Sequence, residues 1–312
     1  MNIRKEDLKG ISGYETFVGL THIPKGWSHE EKWHVKTGKG EELLLRVGEI
    51  RDYERIMQSF YLMRRGYEKG MAISKPICMG LWGQGKVYTL LKWCTGQEGE
   101  EALPYFDQQQ QYRLGLEAGK QLQILHGLPC EPPKETWSDY FSRKTDRRLE
   151  AYLRCGLRFQ GDQQCIAYIQ ENRTLLHQRP WRWQHGDYHL SNMVISPTGK
   201  VQIIDFNRCD QGDPWEEFNR LVWSAGISPA FATGQVTGYF DGAPPKEFFP
   251  ILALYMASNA LGAIAWAIGY GKEQVEVMME QSRQVVNWFD NMNKVVPSWF
   301  SPLERDKRIE DI

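Results

Sequence analysis

The sequence predicts an α+β protein in two lobes, with a small antiparallel-sheet lobe over residues 1–93 and a larger, mainly helical lobe over 94–312. Three observations lead there. The first third alternates short β-like runs with turn residues, and the rest of the chain is dominated by helical spacing. A compact β interlude from Trp183 to Asp205 interrupts the helices. At 312 residues the chain is long enough for two lobes with a buried core.

The elements follow in order. Tyr14 to Ile23 reads as a strand, followed by a turn at Pro24-Lys25-Gly26-Trp27-Ser28. Glu31 to Lys36 and Glu42 to Val47 are the next strands, joined by the Gly38-Lys39-Gly40 turn, so the three form an antiparallel meander. Arg51 to Tyr67 has helical spacing at Ile56, Phe60 and Met63. Pro76 precedes two further short runs, Ile77 to Leu81 and Lys86 to Trp93. A linker near Leu91 to Gly96 leads to a helix over Gln109 to His126, stopped by Gly127 and Pro129. Helical segments are predicted around Leu149 to Leu153 and Gln164 to Leu176, and helices dominate after Asp205.

Composition narrows the function classes. The formal charge of −1 leaves no electrostatic footprint of a nucleic-acid binder. Cys78, Cys94, Cys130, Cys155, Cys165 and Cys209 include no Cys-x-x-Cys pair and read as reduced thiols. The charged start, Met1 to Asp7, lacks an apolar signal core, so the expectation is a cytoplasmic protein. Phe248 to Gly271 carries no charge and is long enough for a membrane span. Pro250, Ser258 and Asn259 interrupt it, and Ala253, Ala257, Ala260 and Ala263 recur at helical steps. The expectation is a buried helix and no membrane partner.

Chemistry concentrates in His185-Gly186-Asp187-Tyr188-His189-Leu190-Ser191-Asn192 and, after a turn at Ser196-Pro197-Thr198-Gly199, in Val201-Gln202-Ile203-Ile204-Asp205-Phe206. The kinase pattern is His-x-Asp with Asn five residues beyond the Asp, followed by Asp-Phe-Gly. Here Asn207 stands where the Gly would be. Phosphoryl transfer needs positioning and charge neutralisation. Asn192 and Asp205 are hard oxygen donors suited to Mg²⁺, and Asp187 is placed to orient the acceptor hydroxyl or take its proton. A zinc-hydrolase reading, with His185, Asp187 and His189 alternating on a strand, explains neither Asn192 nor Asp205.

These segments resemble the aminoglycoside phosphotransferase family of the protein-kinase-like superfamily. Gly212-Asp213-Pro214 looks like that family's turn after the metal Asp, and Gln111 to His126 like its long helix after the hinge. The resemblance implies a bilobal protein-kinase-like fold, with a nucleotide-binding first lobe and a catalytic, substrate-binding second lobe. It implies an enzyme moving the γ-phosphoryl group of ATP or GTP, with Mg²⁺, to the hydroxyl of a small molecule such as an aminoglycoside, amino-sugar or amino-alcohol. Gly26-Trp27-Ser28 takes the place of the loop over the phosphates, with Ser28 either a phosphate ligand or part of a plain hairpin turn. Arg46 stands at the position of the phosphate-pairing Lys, or else is a charge on a solvated strand face. The expected partner of Arg46 is a helix carboxylate, for which Glu54 is the best placed. Lys92, Trp93 and Cys94 fall at the hinge that meets the nucleotide base.

One rival function is set aside at this level, and two matters stay open. A protein-kinase role would need an activation segment ending in Ala-Pro-Glu, and Gly212-Asp213-Pro214 follows Asp205 too soon for one. A non-catalytic binding protein on a degenerate kinase scaffold is the alternative function. The acceptor is also open. Asp210, Asp213, Glu216 and Glu217 either face a cationic acceptor or serve the helix after Pro214, and Trp223, Trp266, Trp288 and Trp299 are candidate aromatic walls.

Overall fold

The computed structural model describes residues 5–24, 29–83 and 85–302. The phosphate-loop segment Gly26-Trp27-Ser28, with the candidate ligand Ser28, lies outside the described residues. In chain order the elements are β1 (Phe17–His22), β2 (Glu31–Thr37), β3 (Glu42–Glu49), α1 (Tyr53–Glu68), β4 (Pro76–Trp82), β5 (Lys86–Lys92), β6 (Gln97–Glu98), α2 (Gly99–Ala102), α3 (Gln108–His126), α4 (Trp137–Cys155) and α5 (Asp162–Asn172). They continue with β7 (Arg182–Gln184), β8 (Met193–Ile195), β9 (Val201–Ile203), β10 (Asp210–Gly212), α6 (Leu221–Ile227), α7 (Pro229–Tyr239), α8 (Phe248–Ala267) and α9 (Lys272–Trp288).

The chain groups into two compact units, Met1–Gln97 with Met193–Cys209, and Glu98–Asn192 with Asp210–Ile312. The sequence division at residue 93 leaves the β8–β9 hairpin with the helical lobe, whereas contacts group it with the sheet. The reason is local. The Ile203 N–H donates to the Ala72 carbonyl at 2.8 Å. Gly96, at φ 153°, lies so close to the hairpin that a Cβ there would sit 2.3 Å from the Ile195 carbonyl oxygen.

The first unit is built on a five-stranded sheet of order β1-β2-β3-β5-β4, antiparallel throughout. Alternation along the strands separates two faces. Trp33, Val35, Leu43, Leu45, Val47, Tyr88 and Leu90 bury one face against Leu8 and Ile11 of the N-terminal segment. Lys32 and Arg46 are cross-strand partners, as are His34 and Leu44, so these four belong to the opposite face. Helix α1 buries Ile56, Ser59, Phe60 and Met63.

The second unit is helical. Asp107 opens α3 with a capping box in which its side chain accepts the Gln110 N–H. Helices α3 and α7 meet almost backbone to backbone. A Cβ at Gly115 would lie 2.1 Å from the Phe231 carbonyl oxygen, and one at Gly234 would lie 2.2 Å from that of Tyr112. Helix α4 is much longer than the segment foreseen around Leu149 to Leu153. Thr136 caps it, Gly156 ends it in the left-handed region, and it buries Trp137, Phe141, Thr145 and Tyr152. The uncharged helix α8 is a core helix, with Ala253 and Ala257 fully buried and Ala260 nearly so. All six cysteines are free thiols.

Candidate active site

Strand β7 ends at Gln184, and the chain enters the loop that carries Asp187 through Gly186 in the left-handed region at φ 80°. His185, Asp187 and His189 therefore do not alternate along one strand face. Among the described residues no group of three His, Cys, Asp or Glu side chains is arranged to hold a metal ion. The loop is held from several directions within its own unit. The buried Glu217 carboxylate accepts the His185 N–H at 2.6 Å and the Gly186 N–H at 3.0 Å. The Tyr188 hydroxyl donates to the Ala118 carbonyl of α3 at 2.6 Å. Burial, then the Glu217 charge, pushes that phenol well above its ordinary value, so it stays a donor. Leu190 N–H donates to the Ser224 hydroxyl at 3.3 Å.

The loop brings Asp187 and Asn192 together. Asn192 Nδ2 donates to the Asp187 carbonyl at 2.8 Å, which leaves Oδ1 as the oxygen donor of that amide. The Asp187 carboxylate is one-fifth exposed and has two nitrogens beside it, the Arg220 guanidinium Nε at 3.4 Å and His189 Nε2 at 3.5 Å. The His189 ring also lies 6.0 Å from that of Trp223.

The acidic run after Asp205 has no spare carboxylate at its centre. Asp213 is fully buried and accepts Arg179 in bidentate form, at 2.7 Å to each oxygen, together with the Tyr255 hydroxyl. Glu216 pairs with Lys144 at 3.0 Å. Burial alone would raise the Glu216 pKa, but Lys144, Arg148 and Arg220 bring it below its ordinary value. Asp213, Glu216 and Glu217 thus serve the fold and the loop rather than a cationic acceptor, and Asp210 alone of the four is exposed.

In the first unit Asp205 follows β9 in the left-handed region, at φ 64° and ψ 60°, a conformation in which Asp is enriched among non-glycine residues. Helix α1 fixes the turn after it. Ser59 donates to the Phe206 carbonyl at 3.1 Å, and Arg55 donates to that of Asn207 at 3.3 Å. Arg46 is buried. Its Nε donates to Glu30 at 2.9 Å, and both of its terminal nitrogens reach Asp205 Oδ1 at 3.3 Å. Arg55 closes the set with a 3.1 Å bond to the other oxygen of Glu30.

The partner of Arg46 is therefore Glu30, just before β2, and not the exposed Glu54. Helix α1 contributes a cation where a carboxylate was expected, because the carboxylate comes from the sheet side and needs countercharge from both directions. Sequence reasoning missed Glu30. Its one signal, a position directly preceding a strand and following the glycine turn, is too common to single it out.

The hinge candidates differ among themselves. The Lys92 N–H donates to the Lys75 carbonyl at 2.8 Å, and the Trp93 N–H to that of Glu42 at 3.0 Å. The exposed Lys92 ammonium pairs with Glu41 at 3.0 Å. The Trp93 ring lies tilted against that of His34, with centroids 4.2 Å apart. The buried Cys94 thiol lies 3.1 Å from the Ser74 hydroxyl, and burial raises its pKa.

Comparison with known proteins gives the family and the fold. The model of a family described as the phosphotransferase enzyme family matches residues 19–248. A choline/ethanolamine kinase family protein from Mesorhizobium loti superposes with a TM-score of 0.67 at 14% identity, over 93% of this chain and 96% of that one. The GDP complex of an aminoglycoside 2'-phosphotransferase-IIIa gives 0.67 at 14%, over 86% and 92%. An amicoumacin kinase in complex with AMP-PNP, Ca²⁺ and amicoumacin gives 0.62 at 13%, over 89% and 90%. A search of curated protein sequences returns no match.

Proposed function

We propose that this chain, which belongs to the phosphotransferase enzyme family, is a kinase that moves the γ-phosphoryl group of ATP or GTP to the hydroxyl of a small amino-alcohol or amino-sugar. The observation that carries the reading is the loop from His185 to Asn192. Its backbone is held by Glu217, and the Asn192 amide is tied to the Asp187 main-chain carbonyl, so both residues belong to one fixed turn. The similar structures of an amicoumacin kinase with AMP-PNP and of an aminoglycoside phosphotransferase with GDP support the class of co-substrate and acceptor.

In this mechanism Asp187 receives the proton of the acceptor hydroxyl, or orients it, as the acceptor oxygen bonds to the γ-phosphorus. The bond from that phosphorus to the β–γ bridging oxygen breaks, and the nucleoside diphosphate leaves. Arg220 and His189 hold the Asp187 carboxylate in its orientation. Asn192 through Oδ1 and Asp205 through its carboxylate are the residues assigned to Mg²⁺, and as hard oxygen donors they fit that cation. When bound, the cation would neutralise charge on the phosphates. Cys94 is assigned to the base through its main chain, since the neighbouring N–H groups of Lys92 and Trp93 already have carbonyl partners. A cytoplasmic location belongs to this reading and accords with six free thiols.

One observation favours a second reading, a nucleotide-binding protein without catalysis. Arg46, at the phosphate-pairing position, is engaged by Glu30 and Asp205. Phosphorus NMR separates the two. The enzyme, given Mg²⁺, ATP or GTP and a panel of aminoglycosides, amino-sugars and amino-alcohols, should yield a new phosphomonoester signal with stoichiometric nucleoside diphosphate. Nucleotide binding with no phosphomonoester across the panel favours the second reading.

A further inference from the structure

Three cations gather around Glu216 in the second unit, and two of them are committed. Lys144 of α4 pairs with Glu216 at 3.0 Å, and the other oxygen of Glu216 accepts Gln184 Nε2 at 3.2 Å. Arg220 lies 3.4 Å from Asp187 by Nε and donates to the Gly186 carbonyl at 3.3 Å. Arg148, one helical turn beyond Lys144, differs. Among the described residues no carboxylate pairs with it, and its one hydrogen bond runs from Nη1 to the Ser258 hydroxyl of α8, at 3.3 Å. The side chain is nonetheless fixed. It lies over Gly262 of α8, where a Cβ would meet Arg148 Cγ and Cδ at 2.9 Å. Arg148 is half-buried, and none of its nitrogens is both buried and unpartnered, so the unbonded ones face solvent. Withdrawing a guanidinium from water without countercharge costs free energy, which an anionic ligand offsets.

We propose that Arg148 receives a carboxylate of the acceptor, so that the substrate is an amino-alcohol or amino-sugar that also carries an acid group. The proposal rests on the kinase reading given above and narrows its acceptor. Arg220 links the two ends of such a molecule. It lies against Asp187, where the hydroxyl reacts, and it shares the field of Glu216 with Arg148. Glu216 does not cancel the Arg148 charge, because both of its oxygens are engaged by Lys144 and Gln184. Electrostatics agree. Burial is the largest influence on the Arg148 pKa and lowers it, Glu216 raises it, and Arg220 lowers it again. A guanidinium partly desolvated beside a second cation gains from an anion. Its planar fork also suits the ligand, since it can donate to both oxygens of a carboxylate.

Steady-state kinetics of the full chain with Mg²⁺, ATP or GTP and matched pairs of acceptors provide the test. Each pair has one member with a carboxylate and one without, such as serine with ethanolamine and muramic acid with glucosamine. Wild type should prefer the carboxylated member. Arg148→Gln should raise KM for that member about 10- to 100-fold, the range expected for a lost hydrogen bond to a charged group, and leave nucleotide affinity unchanged. Arg148→Lys should recover part of the loss. Wild-type KM in Arg148→Gln, or an equal change for both members of a pair, would overturn the assignment. Wild type that phosphorylates the members without a carboxylate equally well or better would overturn it too, whether or not the variants fold, and would leave the kinase reading standing. Wild type that phosphorylates no member of any pair would overturn both.

Discussion

Glu217 accepts the main-chain N–H of His185 at 2.6 Å, and through that bond a residue thirty-two positions away sets the start of the loop that carries Asp187. Its second oxygen takes the Gly186 N–H. Glu217→Gln puts an NH₂ group opposite one of these donors. The variant should lose about 1–3 kcal/mol of stability, the cost of a buried donor left unpaired. Urea unfolding measures the loss. Turnover should fall more than nucleotide affinity, because the damage is to the Asp187 loop.

Glu30→Ala leaves the Arg46 guanidinium buried without its main partner. Removing one member of a buried pair costs about 3–5 kcal/mol. Glu54→Ala, on the exposed side of α1, should stay within about 0.5 kcal/mol of wild type. Equal effects in denaturant titration would contradict the pairing.

The α3–α7 crossing depends on glycine. Gly234→Ala places a methyl group 2.2 Å from the Tyr112 carbonyl oxygen, and main chain cannot move aside as a side chain can. The variant should lose at least about 1–3 kcal/mol, readable as a lower midpoint in a circular-dichroism melt. Since Tyr188, next to Asp187, bonds to Ala118 of α3, turnover should fall as well.

Asp187→Asn keeps the shape of the loop and removes the carboxylate. Turnover should fall by about two to four orders of magnitude, with nucleotide affinity unchanged. Steady-state kinetics with a verified acceptor test this, and unchanged turnover would remove Asp187 from the mechanism.

The acid limb of stability should carry the mark of Glu216. Burial raises its pKa, but Lys144, Arg148 and Arg220 outweigh burial and bring the folded value below the usual 4.5. A carboxyl depressed in the folded state contributes in full above its unfolded pKa and loses that contribution as pH falls through its folded one. Wild-type stability should therefore drop as pH falls below about 4.5, and Glu216→Gln should show a shallower drop. Urea midpoints between pH 7 and pH 3 measure both slopes.

Much of this was legible in the sequence because the informative residues are close together. The strands β1 to β5 show in the sequence as short β-like runs bounded by turn residues. The proposed Asp187, Asn192 and Asp205 set rests on spacing within about twenty residues. The misses are long-range. Glu30 became visible only when β2 and β3 were paired. Asp213, Glu216 and Glu217 stay divided between a cationic acceptor and the helix after Pro214 until Arg179, Lys144 and the His185 backbone are placed beside them. The apolar stripe of α4, Trp137, Phe141, Thr145 and Tyr152, is thin within a charged segment, so only its end was foreseen. The glycine pairs of α3 and α7 carry no signal until the two helices meet.

The most direct test of the account is a thermal-shift titration with ATP and GTP, each with and without Mg²⁺, on wild type and Asp205→Ala. A ligand that binds the native state raises apparent stability by mass action. The account predicts an upward shift with at least one nucleotide that depends on Mg²⁺ in wild type and is lost in Asp205→Ala. No shift with either nucleotide at millimolar concentration, or a metal-dependent shift that survives in Asp205→Ala, would contradict it.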